Sequence, residues 1–404
     1  MSAYDAVVVG GRVAGASTAL LLARAGARVA LVDRGRRGTD IVSTHGLMRA
    51  GVLQLSRWDV LDRVVAAGTP PISRVLFHYP EGDPVQVSIR PSPGVSALYA
   101  PRRTLLDRIL VDAAEEAGAH VFHETAATSV LHDRAGRVVG VAAEERRGAP
   151  LRLEGAITIG ADGIRSLVAD QVGAPVLRQG RTASAVLYRY VEDLPVSGYE
   201  WAYGAGSAAG LIPTNDGATV VFVSTTPEEM KRLRRSGSEQ AFASLLGTAA
   251  PSFADRVLAS PVRTTLRGWG GVPGHVRHSW GRGWALVGDA GYFKDPITAH
   301  GISDSLRDAE LLADGVLEAL SGHRREEVAL AAYQSTRERL SSQLFAATEE
   351  VAGYCWDATR SRELMRAVSS AMSDEVDHLQ ALPDRRVAPV FAPFVPPDSV
   401  PSAG

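Results

Sequence analysis

The sequence predicts an α/β chain. One discontinuous nucleotide-binding-type domain carries an inserted β-rich lobe, and helices close the C-terminal end. Three observations carry this expectation. A strand, a glycine turn, a helix and a second strand follow one another before residue 34. Two more Gly/Asp segments, Gly160–Ser166 and Gly288–Gly291, each follow a short apolar run. Between these landmarks the apolar pattern twice switches to the period-2 alternation of antiparallel sheet.

Tyr4–Val9 (YDAVVV) reads as a buried strand, Ala14–Ala25 as an apolar helix ended by Gly26, and Arg28–Val32 as the second strand, with Asp33 at its tip. Such a unit starts a right-handed parallel sheet. A helical stretch RAGVLQLSRWDVLDRVVAAG follows, then a hairpin between Ser73 and Ser96 and a helix over Thr104–Ala117. Short strands near Ala119–Phe122, Val138–Ala143 and Leu151–Ile159 lead into Gly160. Ala183–Val191, Gly198–Tyr203, Ala209–Ile212 and Thr219–Ser224 read as antiparallel sheet. Ala285–Val287 is again a buried strand, and helices are expected over Ile302–Leu320 and from Glu326 to about Ala371. The resulting division gives 1–72, 99–173 and 263–335 to the α/β domain and 73–98 and 174–262 to the β-rich lobe. A helical segment (336–386) and a proline-rich tail (387–404) complete it.

Composition narrows the function. The chain has 404 residues and a formal charge of −2, from 43 basic and 45 acidic residues, which argues against a nucleic-acid surface. Cys355 is the one cysteine, so disulfide frameworks and zinc ribbons are excluded and a cytoplasmic home is the default. The apolar run Val7–Val32 is broken by Arg12, Arg24 and Arg28, which rules it out as a membrane span. No His-x-x-x-His occurs, and no metal is expected. Lys231 and Lys294 are the only lysines; the other cations are arginine.

The first turn reads Gly10-Gly11-Arg12-Val13-Ala14-Gly15. Gly10 suits a tight turn and Gly15 suits close helix–strand packing, while Arg12 takes the place of the middle glycine of a dinucleotide fingerprint and Gly11 supplies room beside it. Asp33 lies at the distance expected of an acid on a ribose hydroxyl. Asp289, at a strand tip in Gly288-Asp289-Ala290-Gly291, can accept from a sugar-like hydroxyl. The amides of His300, Gly301 and Ile302, at a helix start, can hold partial negative charge.

With these segments, Arg103-Thr-Leu-Leu-Asp107, Asp162-Gly163, Met48-Arg49-Ala50-Gly51-Val52-Leu53 and Tyr333-Gln-Ser-Thr-Arg337, the chain resembles the FAD-dependent monooxygenases of the p-hydroxybenzoate hydroxylase type. The resemblance covers about Tyr4 to Arg337. It implies a Rossmann-like FAD-binding domain with an inserted β-sheet substrate domain. The implied cofactor contacts are Gly10, Gly11, Val13, Ala14, Gly15, Asp33, Arg34, Arg49, Arg103, Asp162, Gly288, Asp289, Pro296, Ala299, His300, Gly301 and Ile302. Asp33 would bind the adenosine ribose, Arg49 and Arg103 the phosphates, Asp289 the ribitol and Ala299–Ile302 the ring. Asp162 belongs to a motif serving both FAD and the nicotinamide nucleotide. Arg12, Tyr292, Ala299 and Ser303 depart from the family pattern, toward a branch near geranylgeranyl reductases and halogenases.

The resemblance implies NADPH or NADH as reductant, O2 as co-substrate and hydroxylation of an aromatic or polyketide-like small molecule through a flavin C4a-hydroperoxide. A separate flavin reductase is an alternative electron source. His45, His300 and Arg49 are the catalytic candidates, a histidine being suited to take a phenolic proton. Halogenation is disfavoured: both tryptophans of Trp-x-Trp-x-Ile-Pro are missing from Ala208–Pro213, and no lysine precedes Lys231. The second candidate activity is an isoprenoid C=C reductase, through Gly198–Tyr203, with Gly204 in place of that group's proline. A non-catalytic flavin-fold binder is the third alternative.

Overall fold

The computed structural model describes residues 4–146 and 148–383, so the proline-rich tail (387–404) lies outside the described residues. An eight-stranded sheet runs Trp280–Gly281, Trp284–Leu286, Pro150–Gly160, Tyr4–Val9, Val29–Val32, His120–Phe122. The strands Val138–Glu145 and Thr125–His132 branch from Pro150–Gly160. Tyr4–Val9 pairs in parallel with both neighbours, Val9 lying opposite Val32 on one side and Gly160 on the other.

This strand is apolar on both sides because both sheet faces are covered. Ala6 and Val8 face a core shared with the helices Val13–Arg24, Arg103–Glu116 and Gly301–Leu320. Val7 and Val9 pack against the antiparallel strands that include Val130, Val141 and Leu153. The Tyr333–Arg337 segment braces the sheet from the helix Glu326–Val351. Tyr333 donates to the Leu286 carbonyl at 2.9 Å, and Arg337 donates to Ser279 Oγ at 2.7 Å.

The second sheet has seven strands: Arg267–Trp269, Ala185–Val191, Thr219–Thr225, Ser207–Pro213, Tyr199–Gly204, Arg74–His78 and Val85–Ser88. The expected hairpin thus joins it, Arg74–His78 running parallel to Tyr199–Gly204. Strict alternation sorts its side chains. Leu187, Val191, Leu211, Val221 and Val223 pack under helices on one face. Tyr188, Tyr190, Trp201, Tyr203 and Phe222 form an aromatic layer on the other.

Several elements differ from expectation. The stretch after Met48 is two helices, Arg49–Arg57 and Leu61–Ala66, broken where Asp59 takes a φ of 53°. The helical run from Glu326 also breaks: Glu326–Val351 stops, and Asp357 caps a new helix, Ala358–Gln380, by accepting from the Arg360 amide. The strand Thr125–His132 and the helices Pro227–Leu233, Ser238–Ala249 and Pro251–Ala259 were not anticipated. The first of these helices does carry a signal, since Thr226 caps it, Pro227 opens it and Glu228 and Glu229 fill its first turn.

Candidate active site

The parallel strands end at one edge, and that edge gathers the glycine and aspartate segments. Gly10 donates its amide to the Val32 carbonyl, Ala161 to Val9, Val287 to Gly160, and Asp33 to Phe122. The tips at 10–15, 33, 160–162 and 288–289 therefore meet in one crevice, where ligands bind in such sheets. Gly10 has a φ of 105°, and a Cβ there would stand 2.4 Å from the Ala161 carbonyl oxygen. A Cβ on Gly15 would stand 1.8 Å from the Gly10 oxygen. Both positions require glycine.

The helix Val13–Arg24 starts in this crevice with no side-chain cap from Arg12 and no acid in its first turn. Its first amides, at Val13, Ala14 and Gly15, are left to an external anion. Asp33 is fixed by backbone: Gly11 donates to Oδ2 at 2.5 Å and Gly35 to Oδ1 at 2.6 Å. A small cavity beside it is lined by Gly11, Arg12, Asp33, Gly35, Arg37 and Asp107. Arg34 is exposed. Arg103, buried at the start of its helix, forms a bidentate pair with Asp107 at 2.8 and 3.0 Å. Its charge acts on Arg12, His45 and Asp289 alike.

Asp162 is used locally. It accepts from Ser166 Oγ at 2.5 Å and from the Val168 amide at 3.2 Å, tying down the start of the short helix Leu167–Gln171. Asp289 differs: among the described residues no hydrogen bond reaches its carboxylate, and burial pushes it up to about 6. Gly288 (φ 59°) packs so closely on the first helix that a Cβ would stand 2.8 Å from that of Ala14.

Beyond Asp289, the turn Asp295–Gly301 leads into the helix Gly301–Leu320. Ala299 adopts a left-handed φ of 51°. Pro296 and Gly301 are exposed and nothing lies within 4 Å of a Cβ built on Gly301, so a ring has space against the amides of Gly301 and Ile302. Beneath the turn lies a buried charge network. His300 Nε2 donates to Glu375 at 2.5 Å; Arg307 donates to Asp304 at 2.9 Å, Asp308 at 2.6 Å and Glu375 at 3.0 Å; Lys294 pairs with Asp304. Burial and Arg307 push Lys294 down to about 7. Burial opposes the charge of Glu375, yet His300 and Arg307 hold it well below the ordinary carboxylate range. His300, Asp304 and Glu375 bring three ligand-type atoms within 4.8 Å of one another. Lys294 and Arg307 already occupy these carboxylates, so the cluster is a salt-bridge network.

His45 is fully buried, with a φ of 66°. Its Nε2 bonds Tyr190 of the aromatic layer, and its Nδ1 has no partner among the described residues. Burial, reinforced by Arg103, pushes its pKa down to about 3, so the ring is neutral. Burial pushes Tyr190 up to about 12. Arg49 instead reaches the inserted hairpin, donating to the Arg90 carbonyl at 2.9 Å and Ser92 Oγ at 2.7 Å. Gly46 meets Ala299, a Cβ there standing 3.3 Å from the Ala299 Cβ, so the 45–48 loop and the 295–301 turn face each other.

Apart from His45 and the exposed Arg34, the residues singled out in the sequence fall into two groups. Gly10–Gly15, Asp33, Gly288–Asp289 and the 296–302 turn share the crevice, with Arg103 behind it. Asp162, Arg49 and His300 spend their side chains on other protein groups. Sequence reasoning missed Glu375 and Arg307. Lys294, one of two lysines in an arginine-rich chain, was noticed and given no role.

A glycine cradle, uncapped helix amides, an Asp289 carboxylate that no hydrogen bond reaches among the described residues and an open turn fit a dinucleotide carrying a flavin. Fold and site define a flavin-nucleotide α/β enzyme. The chain matches the FAD binding domain family over residues 3–348, and it belongs to that family of FAD-dependent oxidoreductases. It is 29% identical over 337 residues to digeranylgeranylglycerophospholipid reductase 2 of Methanopyrus kandleri, covering 78% of each chain. Its fold is similar to that of PqsL of P. aeruginosa, solved in complex with 2-aminobenzoylacetate. There the TM-score is 0.76 and the identity 21%, over 92% of this chain and 99% of that one. The flavin-dependent brominase Bmp2 matches with a TM-score of 0.76 and 16% identity, over 93% and 98% of the two chains. Among the described residues no helix is long and apolar enough to cross a membrane.

Proposed function

We propose that the protein is an FAD-dependent monooxygenase that uses NADPH or NADH and O2 to hydroxylate an aromatic or polyketide-like small molecule. The observation that carries this reading is the aromatic face of the second sheet. Tyr188, Tyr190, Trp201, Tyr203 and Phe222 cluster with Met48, Ile297 and Ala299, which belong to the loop and turn that bracket the ring position. Flat rings stack and pack edge-on against such a layer.

FAD, when bound, supplies the electrons taken from the nicotinamide and activates O2. The chain binds, orients and excludes water. Val13–Gly15 amides and Arg103 would hold the phosphates, Asp33 and Asp289 the sugar hydroxyls, and the Gly301 and Ile302 amides the electron-rich edge of the ring. His45 stays neutral at every working pH, one ring nitrogen carrying the proton and the other free to accept. In the tautomer in which Nε2–H donates to Tyr190, Nδ1 is left as a buried acceptor without a partner among the described residues. Bound PqsL ligand chemistry, an aromatic amine, supports a substrate of this kind.

A second reading, reduction of an isoprenoid C=C bond, is supported by the similarity to the Methanopyrus reductase and by the aromatic strand Tyr199–Gly204. Against it, the layer holds His45, whose Nδ1 has no partner among the described residues, and Tyr188 beside Arg267. A hydrocarbon chain would leave those polar groups without partners. The experiment is an incubation of the holoprotein with NADPH and a panel of phenols and polyketide aromatics under labelled O2. A product carrying one labelled oxygen supports hydroxylation. Saturation of an isoprenoid substrate without O2, with no oxygenated product from any aromatic, overturns it.

A further inference from the structure

The turn that faces the ring is anchored on three sides. Asp295 accepts from the Ser184 amide at 2.6 Å, tying the turn to the second sheet, and from the Ile297 amide at 2.9 Å. Thr298 bonds Thr348 of the helix Glu326–Val351 at 3.1 Å. His300 bonds Glu375 of the helix Ala358–Gln380. The third anchor also carries charge. His300, Arg307 and Glu375 are each at most 1% exposed, and Arg307 sits between Asp304, Asp308 and Glu375 and over the ring of Tyr292.

Three carboxylates, Asp304, Asp308 and Glu375, thus share one permanent cation, Arg307, and Lys294, which is charged below about pH 7. Burial disfavours the charged form of His300, and the three carboxylates outnumber the two cations, which leaves the group net negative beneath the first turn of the helix Gly301–Leu320. A ring seated on that helix start gains negative charge when reduced, and the helix dipole favours this. The buried negative charge opposes it across a poorly screened medium.

We propose that Glu375 is a positioning residue of the flavin site: by holding His300 and Arg307 it fixes the Ala299–Ile302 turn and sets the charge beneath the ring, so that the helix Ala358–Gln380 tunes the flavin midpoint potential. This rests on that turn being flavin-facing. It explains why a helix remote in sequence places a carboxylate against the one histidine of the turn.

The test is a spectroscopic redox titration of holoprotein against reference dyes. Glu375→Gln, which keeps the shape and removes the charge, shifts the potential positive. Glu375→Asp, which keeps the charge, lies nearer the wild type. Titrated at pH 6, where Lys294 is charged, Lys294→Met removes a cation from the same group and shifts the potential negative, so the proposal remains testable if Glu375→Gln does not fold. Glu363→Gln, on the exposed face of the same helix, serves as the control and leaves the potential in place. A Glu375→Gln shift no larger than the control's, or no negative shift for Lys294→Met, overturns the proposal. A wild-type protein that binds no flavin overturns the underlying assignment instead.

Discussion

The Gly11 amide donates to Asp33 Oδ2 at 2.5 Å, locking the tip of the second strand to the first glycine turn. With Gly35 on the other oxygen, the carboxylate is held rigid at the mouth of the crevice. Asp33→Ala removes both acceptors and the contact to a ribose hydroxyl. A hydrogen bond to a charged group contributes about 1.5–3 kcal/mol, so FAD affinity should fall roughly 10–100-fold. Fluorescence titration of apoprotein with FAD measures this, and an unchanged Kd would remove Asp33 from the site.

Gly15→Ala is the sharpest structural probe of the cradle. The added methyl would stand 1.8 Å from the Gly10 carbonyl oxygen, so the helix must move off the strand. Overpacking of this severity costs about 3 kcal/mol, and the variant should melt several degrees lower and purify without flavin. Normal melting with full flavin content would show that the helix is not seated as described.

Asp289 gives the site a pH signature. Its pKa in the folded apoprotein is raised to about 6 by burial, above its unfolded value of 3.8. The contribution to stability is therefore present below pH 3.8 and lost as pH rises through 6. The ionised form is the stronger acceptor for a ribitol hydroxyl, so below about pH 6 FAD binding releases a proton and weakens. Asp289→Asn should flatten that dependence and bind FAD about tenfold more weakly at neutral pH. Calorimetric binding at several pH values in buffers of different ionisation heat measures both effects.

For His45, burial and the Arg103 charge put the imidazole pKa at about 3. Turnover should show no inflection between pH 5 and 8 from this residue. His45→Ala and Tyr190→Phe should each lower kcat with a phenolic substrate by about 100-fold, at the low end of general acid–base effects. Flavin content should hold. A pH–rate limb near 6.5 that disappears in His45→Ala would contradict the assigned environment.

Much of this architecture is readable because it is local. The strand–turn–helix–strand unit at Tyr4–Val32 and the Gly160 and Gly288 tips announce themselves by apolar runs ended by glycine and aspartate. The aromatic layer is legible too, since period 2 places Tyr188 and Tyr190 on one face. What escapes is nonlocal. Glu375 meets His300 across 75 residues of chain and Arg307 across 68, within a polar helix that has no motif. Burial reverses other readings: His45 looks like a histidine near its ordinary pKa until its surroundings are known. Arg49 resembles a phosphate ligand until the hairpin supplies the Arg90 carbonyl and Ser92.

The most direct test of the central claim follows the flavin itself. The holoprotein is reduced anaerobically with NADPH, mixed rapidly with O2 and a phenolic substrate, and its spectrum recorded through reoxidation. An oxygen-dependent transient distinct from both reduced and oxidised flavin is expected, with hydroxylated product formed as it decays. Single-step reoxidation with every aromatic offered, together with anaerobic consumption of reduced flavin by an isoprenoid substrate, would contradict it.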